Sequence, residues 1–174
     1  MNCASIGGSE EHPMVVLGTR PRPSAGRDEL LIRVRAAGMI SSELHWAPHW
    51  HSKSGEKRAN AVPGHEFSGV VADSGQEVFG MNDWYADGAM AEYCVAPVSA
   101  VVAKPAMLSD AEAASVPNSA LTAWQGLLDH SKLRAGESVL VHGGAGSVGI
   151  FAVQLARLHG ARVVATASAR RLTL

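Results

Sequence analysis

A short apolar run passes into a glycine-rich turn and then into an amphipathic segment in the last third of the chain. Residues 137–142 contain Val-Leu-Val, the β-branched composition of a buried parallel strand. Gly144, Gly146 and Gly149 follow with the spacing G-x-G-x-x-G. We predict that Gly144 takes a positive φ in a tight turn. Gly146 is expected to let the backbone approach a pyrophosphate, and Gly149 to let the next helix pack closely on its strand.

The residues after the turn predict a helix and a second strand. Apolar residues recur at spacings of three and four from Val148 to Leu158, Gly160 suits a C-cap, and residues 161–167 form another apolar run. Strand, helix and strand make one crossover unit, and the helix N-terminus favours an anion. We therefore predict a dinucleotide-phosphate site, and the alternative is a glycine-rich turn in another α/β protein. The predicted contacts are Gly144, Ala145, Gly146, Ser147, Val148 and Gly149.

The end of the second predicted strand indicates which dinucleotide binds. An acidic residue there usually holds the ribose 2′-hydroxyl of NAD, but no acidic residue follows Glu137. Ser168, Arg170 and Arg171 stand there instead, and guanidinium groups pair with phosphate in bidentate fashion. We predict NADP(H) rather than NAD(H). The alternative is that the two arginines lie on an exposed segment without a ligand.

Composition excludes several classes of protein. The chain has 174 residues and a net charge of −1, so we expect a small-molecule substrate and neither a nucleic-acid nor a membrane partner. Its two cysteines, Cys3 and Cys94, provide no disulfide framework and no metal-binding pair. The N-terminus lacks a basic region followed by an apolar run, and no apolar stretch is long enough to span a bilayer. We expect a cytoplasmic location.

The first hundred residues favour short strands. Residues 29–36 alternate in polarity, with Leu30, Ile32 and Val34 on one face, and further strands are predicted at 67–72, 91–95 and 99–103. Prolines between these runs indicate a compact β-barrel-like domain. Two helices follow. The first begins with a capping-box pattern at residues 109–112, and the second covers residues 119–130.

Five motifs occur in a recognisable order: residues 28–38, 63–71 (PGHEFSGVV), 88–93 (GAMAEY), 121–124 (LTAW) and the glycine turn. Together they resemble the medium-chain dehydrogenase/reductase superfamily, and within it the zinc-independent, quinone-oxidoreductase-like branch. The resemblance implies an α/β fold class. Residues 1–107 are expected to form a GroES-like β-barrel that carries substrate and catalytic groups. Residues 108–174 are expected to form the N-terminal part of a doubly wound, NADP-binding Rossmann domain. The resemblance also implies a homodimer if the full-length domain exists.

The resemblance also bears on metal binding. Zinc alcohol dehydrogenases of this superfamily carry a cysteine ligand where Ile40 stands here, and a catalytic zinc needs three protein ligands. His65 is retained without a cysteine pair, and a structural role for it is favoured over a relic metal or proton-relay site. His45, His49 and His51 lack the spacing that organises ligands, so their segment is interpreted as a loop. We predict no metal site. The run 71–80 is shorter than the strand–turn–strand of the family.

These observations predict an NADP(H)-dependent oxidoreductase that transfers a hydride to a quinone, enone or carbonyl compound without catalytic zinc, in specialised metabolism. The resemblance places Thr122 near the nicotinamide and Glu43 in the cleft, as candidate catalytic residues. Thr122 has the alternative of bonding back to its own helix, and Glu43 that of an exposed carboxylate. The competing hypothesis is a truncated, non-catalytic fragment or pseudo-enzyme. Because only the first crossover unit is present, we expect weak NADPH binding and slow turnover.

Overall fold

The chain divides into two units at residue 117. The structure, a computed structural model, describes residues 1–171 except for the side chains of Ser41 and Arg171. The first unit is Met1–Pro117, and the second begins at Asn118. Within the described residues, no helix is both long and apolar enough to cross a membrane.

The first unit is built on antiparallel strands. The strands are β1 (Asn2–Gly8), β2 (Pro13–Thr19), β3 (Glu29–Gly38), β4 (Glu66–Val71), β5 (Glu77–Met81), β6 (Tyr93–Pro97) and β7 (Val101–Ala103). Strands β1 and β2 form a hairpin, and the other five form a sheet with the order β6-β3-β4-β5-β7. The helices are α1 (Ala47–Trp50) and α2 (Asp110–Ala114), with 3-10 turns at Ser41–His45 and Val98–Ala100. This curved sheet, together with the parallel unit that follows it, confirms the predicted α/β fold class.

Several elements differ from the sequence predictions. The β1–β2 hairpin was not predicted, because its stability comes from pairing in register from Asn2 with Thr19 to Gly8 with Pro13 rather than from a strong local pattern. The segment interpreted as a loop around His45 and His49 contains α1 and a 3-10 turn. Despite the short run 71–80, β4 and β5 pair from residue 66 to residue 81.

The alternation in β3 buries one face of the sheet, as predicted. Ile32 is fully buried and pairs with Val71 on one neighbouring strand and with Cys94 on the other. Leu30 and Val34 pack against the same cluster from the predicted face. Phe67 of β4 is also fully buried. The core of the first unit therefore lies on one face of the central strands.

Helix α2 begins as the sequence predicted. The Ser109 side chain accepts from the Glu112 amide, and the Glu112 carboxylate accepts from the Ser109 amide at 2.8 Å. This capping box satisfies amides that the first turn of the helix leaves without partners. The helix packs on β3 and β4, and the Ser68 hydroxyl of β4 donates to the Asp110 carbonyl at 2.9 Å.

The second unit is a strand–helix–strand arrangement preceded by a helix. Helix α3 (Pro117–Trp124) continues into a π-helical stretch (Gln125–His130), followed by β8 (Ser138–Val141), α4 (Ser147–Leu158), β9 (Arg162–Ala165) and a 3-10 turn (Ala169–Arg171). Strands β8 and β9 are parallel. Ala123, Val141 and Ala152 form the buried cluster of this unit. Leu140 and Val164 are register partners that are 56% and 62% exposed, so one face of this sheet meets solvent.

Truncating the core of the first unit should destabilise it strongly. We expect Ile32→Ala to lower the free energy of unfolding by about 2–5 kcal/mol, because it removes buried methyl groups and leaves a cavity. Leu17→Ala is the matched control, since Leu17 is 84% exposed and its change should stay within about 0.5 kcal/mol. Urea unfolding of the variants measures both values. Equal losses in the two variants would contradict this account of the core.

Candidate functional site

The glycine turn lies between β8 and α4, as the sequence predicted, but the structural roles of its individual glycines differ from the prediction. The positive φ of 72° belongs to Gly143, not to Gly144. Gly144 is needed for another reason, because a Cβ there would lie 2.7 Å from the Ala165 Cβ on the neighbouring strand. The Gly144 amide donates to the Thr166 carbonyl at 2.8 Å. The turn is therefore held against the end of β9.

Gly149 brings α4 against the turn. A Cβ at this position would lie 2.1 Å from the Gly143 carbonyl oxygen and 2.8 Å from the Gly144 Cα, which no side chain tolerates without backbone movement. This contact is the close packing that the sequence analysis assigned to Gly149. The first turn of α4 consequently starts directly over the glycine turn.

The N-terminus of α4 carries backbone amides that could bind an anion. Gly146 is the N-cap and offers no side-chain cap, and the Ile150 amide donates to the Gly146 carbonyl at 3.0 Å. The amides of Ser147 and Val148 belong to the first turn of α4, where backbone N–H groups have no acceptor within the helix. Ala145 lies in the turn between the glycines. The backbone here fits a phosphate, with the helix dipole adding to the attraction.

The residues predicted to select the 2′-phosphate follow β9. Ser168 and Arg170 are exposed, and the Arg171 side chain lies outside the described residues. Sequence reasoning missed Thr166, whose hydroxyl oxygen lies 3.3 Å from the Gly143 amide nitrogen and accepts its hydrogen. A hydroxyl residue directly after a parallel strand is the signal that could have pointed to it.

Thr122 lies on α3, in the same unit as the glycine turn. Its hydroxyl donates to the Asn118 carbonyl at 2.7 Å, the local hydrogen bond that the sequence analysis named as the alternative. The side chain is exposed. Its oxygen therefore keeps acceptor capacity while its proton is held by the helix.

A buried polar cluster occupies the first unit. Glu43, His49 and His65 are 3%, 2% and 1% exposed. The two Nε2 atoms of the histidines are 3.0 Å apart, and the Glu43 Oε1 atom lies 3.7 Å from the His49 Nε2 atom. The Gly64 amide donates to the same Glu43 oxygen at 2.5 Å. Glu43 is thus not the exposed carboxylate of the alternative interpretation.

Each histidine of this cluster is oriented through its second ring nitrogen. His49 Nδ1 lies 2.8 Å from the Glu43 carbonyl oxygen, and His65 Nδ1 lies 2.8 Å from Asn82 Oδ1. Asn82 Nδ2 in turn donates to the Asp87 carbonyl at 2.9 Å. Sequence reasoning considered His49 only together with His45 and His51, and it missed Asn82, because the contacts that join His49 and Asn82 to His65 run between distant segments. Hydrogen bonds of this kind set the tautomer and orientation of a histidine ring.

Burial changes the acid–base behaviour of all three side chains. Removal from water raises the pKa of Glu43, although hydrogen bonds from the backbone at Gly64 and Ile40 oppose the rise. Burial lowers the pKa of His49. It also lowers the pKa of His65 to about 4, although the hydrogen bond that the His65 ring donates to Asn82 opposes the fall. Each shift favours the uncharged side chain.

The ligand set of the family's catalytic zinc does not fit this chain. Ile40 stands at the cysteine position and is the N-cap of a 3-10 turn. Cys3 lies in β1 and Cys94 in the core cluster beside Ile32, where burial raises the pKa of the Cys94 thiol to about 12. His45 and His51 do not join His49; His45 contacts the Glu10 carbonyl, and His51 pairs with Lys57.

Comparison with known proteins identifies the family. Residues 26–106 match the alcohol dehydrogenase GroES-like domain. The quinone oxidoreductase from Thermus thermophilus, a structure also solved in complex with NADPH, has a TM-score of 0.78 and 31% identity, over 97% of this chain and 54% of that one. The chain belongs to the medium-chain dehydrogenase/reductase superfamily, whose members similar to it include quinone oxidoreductases and enoyl reductases.

Two curated relatives extend this comparison. The chain is 39% identical over 145 residues to the spectinabilin polyketide synthase system protein NorB of Streptomyces orinoci, covering 80% of this chain and 6% of that protein. It is 34% identical over 169 residues to 2-methylene-furan-3-one reductase of Solanum lycopersicum, covering 87% of this chain and 43% of that protein. The chain therefore spans less than half the length of each of these two relatives.

Adding one methyl group to the glycine turn should disrupt it. We expect Gly149→Ala to lower the free energy of unfolding by about 1–3 kcal/mol, because the new Cβ collides with the Gly143 carbonyl. Gly126→Ala is the matched control in the same unit, where a Cβ meets nothing within 4 Å, and it should leave stability unchanged or raise it. Urea unfolding followed by circular dichroism measures both. A Gly149→Ala variant as stable as the control would refute the close contact.

Proposed function

We propose that this chain belongs to an NADPH-dependent oxidoreductase that transfers a hydride to a quinone, an enone or another carbonyl compound without catalytic zinc. The observation that carries the proposal is the glycine turn beneath the N-terminus of α4, followed after β9 by Ser168 and two arginines. The relation to oxidoreductases of the same superfamily supports it in general terms.

The glycine turn supplies the pyrophosphate site of the proposal. Gly144 and Gly149 remove the side chains that would block contact between turn, helix and neighbouring strand. The backbone amides of Ser147 and Val148 can then donate to phosphate oxygens, and the dipole of α4 strengthens these bonds. The Thr166 hydroxyl holds the Gly143 amide and keeps the turn in its place.

The segment after β9 supplies the preference for the 2′-phosphate. Its residues 168–171 contain two arginines and no carboxylate that would repel the phosphate. Arg170 is exposed, so its guanidinium is free to turn toward a ligand at low cost in desolvation. The NADPH complex of the Thermus relative supports the same cofactor here.

The substrate class follows from how charge is stabilised during the reaction. NADPH, when bound, supplies the hydride. The chain lacks the cysteine ligands of the family's zinc site, so hydrogen-bond donors or water must meet the negative charge that develops on the substrate oxygen. Quinones and enones spread that charge by conjugation. The names of two relatives, a quinone oxidoreductase and a furanone reductase, support this class, and the polyketide relative supports a place in specialised metabolism.

Glu43 and Thr122 take different roles in this proposal. Glu43 is enclosed by protein groups and holds the Gly64 amide, so it acts as a positioning residue. Thr122 is exposed and lies in the unit that contains the glycine turn, so its hydroxyl is the candidate that contacts the cofactor or substrate.

The cofactor preference is tested by removing the charge of Arg170. We expect Arg170→Ala to weaken NADPH binding about tenfold to a hundredfold, because a hydrogen bond between charged groups is lost, and to leave NADH binding unchanged. Arg157→Ala is the control, since Arg157 is also exposed but lies at the end of α4. Fluorescence titration of the purified chain with both cofactors measures this. Tighter binding of NADH than of NADPH by the unmodified chain would overturn the preference.

Catalysis is tested by NADPH oxidation with 1,4-benzoquinone or a furanone as the acceptor. We expect turnover by the chain and a fall in kcat of about a hundredfold in Thr122→Ala, from the loss of one hydroxyl at the reacting groups. Ser131→Ala is the control, because the Ser131 hydroxyl makes a similar bond to the backbone, at 2.7 Å from the Gly126 carbonyl. An unchanged kcat in Thr122→Ala removes its role. NADPH binding without any oxidation of NADPH by these acceptors would favour the non-catalytic alternative.

A further inference from the structure

We infer that Glu43, His49 and His65 form a binding site for one divalent transition-metal ion, with Zn²⁺ as the best match. One ligand atom from each side chain can be chosen so that all three atoms lie within 4.8 Å of one another. This inference is independent of the proposed reductase activity. It concerns a set of ligands without cysteine, of which only His65 corresponds to the family's zinc site.

The hydrogen bonds of His49 identify which of its nitrogens faces the cluster. Its Nδ1 atom lies 2.8 Å from the main-chain carbonyl oxygen of Glu43. A carbonyl oxygen only accepts, so Nδ1 must carry the hydrogen. The neutral ring then presents a lone pair at Nε2, which is the form of histidine that binds a metal.

His65 is held in the same form by a different partner. Its Nδ1 atom lies 2.8 Å from Asn82 Oδ1. The amide of Asn82 cannot be reversed without loss, because its Nδ2 atom donates to the Asp87 carbonyl at 2.9 Å. The acceptor therefore faces His65, Nδ1 of His65 carries the hydrogen, and its Nε2 atom also presents a lone pair.

The two atoms that carry these lone pairs are close together. The Nε2 atoms are 3.0 Å apart, and both side chains are buried. Two acceptors at this distance repel each other unless a cation lies between them. Two Zn–N bonds of about 2.0–2.1 Å at a tetrahedral angle separate the nitrogens by about 3.3 Å, so the rings must move apart to admit the ion.

Glu43 provides the charge that a cation needs in this interior. Its Oε1 atom lies 3.7 Å from His49 Nε2. Two neutral imidazoles and one carboxylate reduce the charge of a divalent ion to a single positive charge, and this donor set is one that zinc uses in proteins. Nitrogen ligands argue against Mg²⁺ and Ca²⁺, which prefer oxygen. The rings of Trp46, at 6.4 Å from His49, and Trp84, at 5.1 Å from His65, cover the cluster.

The first experiment measures metal binding by the full chain, free of any affinity tag and stripped with a chelator. We expect it to bind one Co²⁺ per chain with the strong visible absorption of a low-coordinate site, and Zn²⁺ to displace the Co²⁺. Added Zn²⁺ should raise the Tm, because the ion binds the folded chain. A stripped chain that binds neither ion would overturn the inference.

Variants identify the ligands. Glu43→Gln keeps the shape and an oxygen for the Gly64 amide but removes the charge, and we expect at least about a tenfold loss of Co²⁺ affinity. His49→Ala should abolish the visible absorption, and Asn82→Ala should weaken binding about 10–100-fold through the freed His65 ring. His45→Ala is the control, because His45 is exposed in the same segment and should bind as the unmodified chain does. Circular dichroism confirms that each variant is folded.

Two outcomes would contradict the assignment. In the first outcome, the Glu43→Gln variant, which is the mildest change, and the His49→Ala variant are both folded and both keep full affinity for Co²⁺. The bound metal then lies elsewhere. The second outcome is a proton shared between the two rings, which nitrogen-15 chemical shifts of the histidine rings detect. We expect Zn²⁺ to shift both Nε2 signals while both Nδ1 atoms stay protonated. Nε2 signals that report a shared proton and do not respond to Zn²⁺ would show that the proton, not a metal, joins the rings.

Discussion

Buried polar contacts connect distant segments at the centre of the first unit. Hydrogen bonds run from the Asp87 carbonyl through Asn82 to His65, and from His49 to the main chain of Glu43, and the Nε2 atoms of the two histidines lie 3.0 Å apart. These residues come from separate segments of the sequence, so breaking any one link leaves a polar group in the interior without a partner. Such losses are strongly destabilising in water-free surroundings. These contacts therefore help to fix the position of the helical segment around α1.

The second unit depends instead on glycine positions, where the absence of a side chain allows close packing. Gly149 and Gly144 allow helix and strands to meet at distances that a Cβ would forbid. The two units thus prepare their sites differently, one through buried polar contacts between side chains and the other by leaving backbone amides accessible. Both arrangements are sensitive to the addition or removal of a single group of atoms.

Local patterns predicted much of this structure. The spacing of the glycines, the apolar strands beside them and the capping box at Ser109 each depend on neighbours within a few residues, and they occur where expected. The positive φ at Gly143 was assigned to Gly144 because a motif gives spacing but not torsion angles. The pairing of His49 with His65 was not foreseen, since it brings together two histidines that share no motif. Contacts of that kind are decided by tertiary packing.

The burial of Cys94 has a consequence for how this protein can be followed in solution. A thiol whose pKa is raised to about 12, in a strand paired to the centre of the sheet, stays protonated and out of reach of alkylating reagents. Cys3 is buried as well. Alkylation of either sulfur then requires that its strand first separate from the neighbouring strands, so the rate of alkylation reports this local opening. The chain accordingly carries its own internal reporters of local opening, one in the hairpin and one in the main sheet.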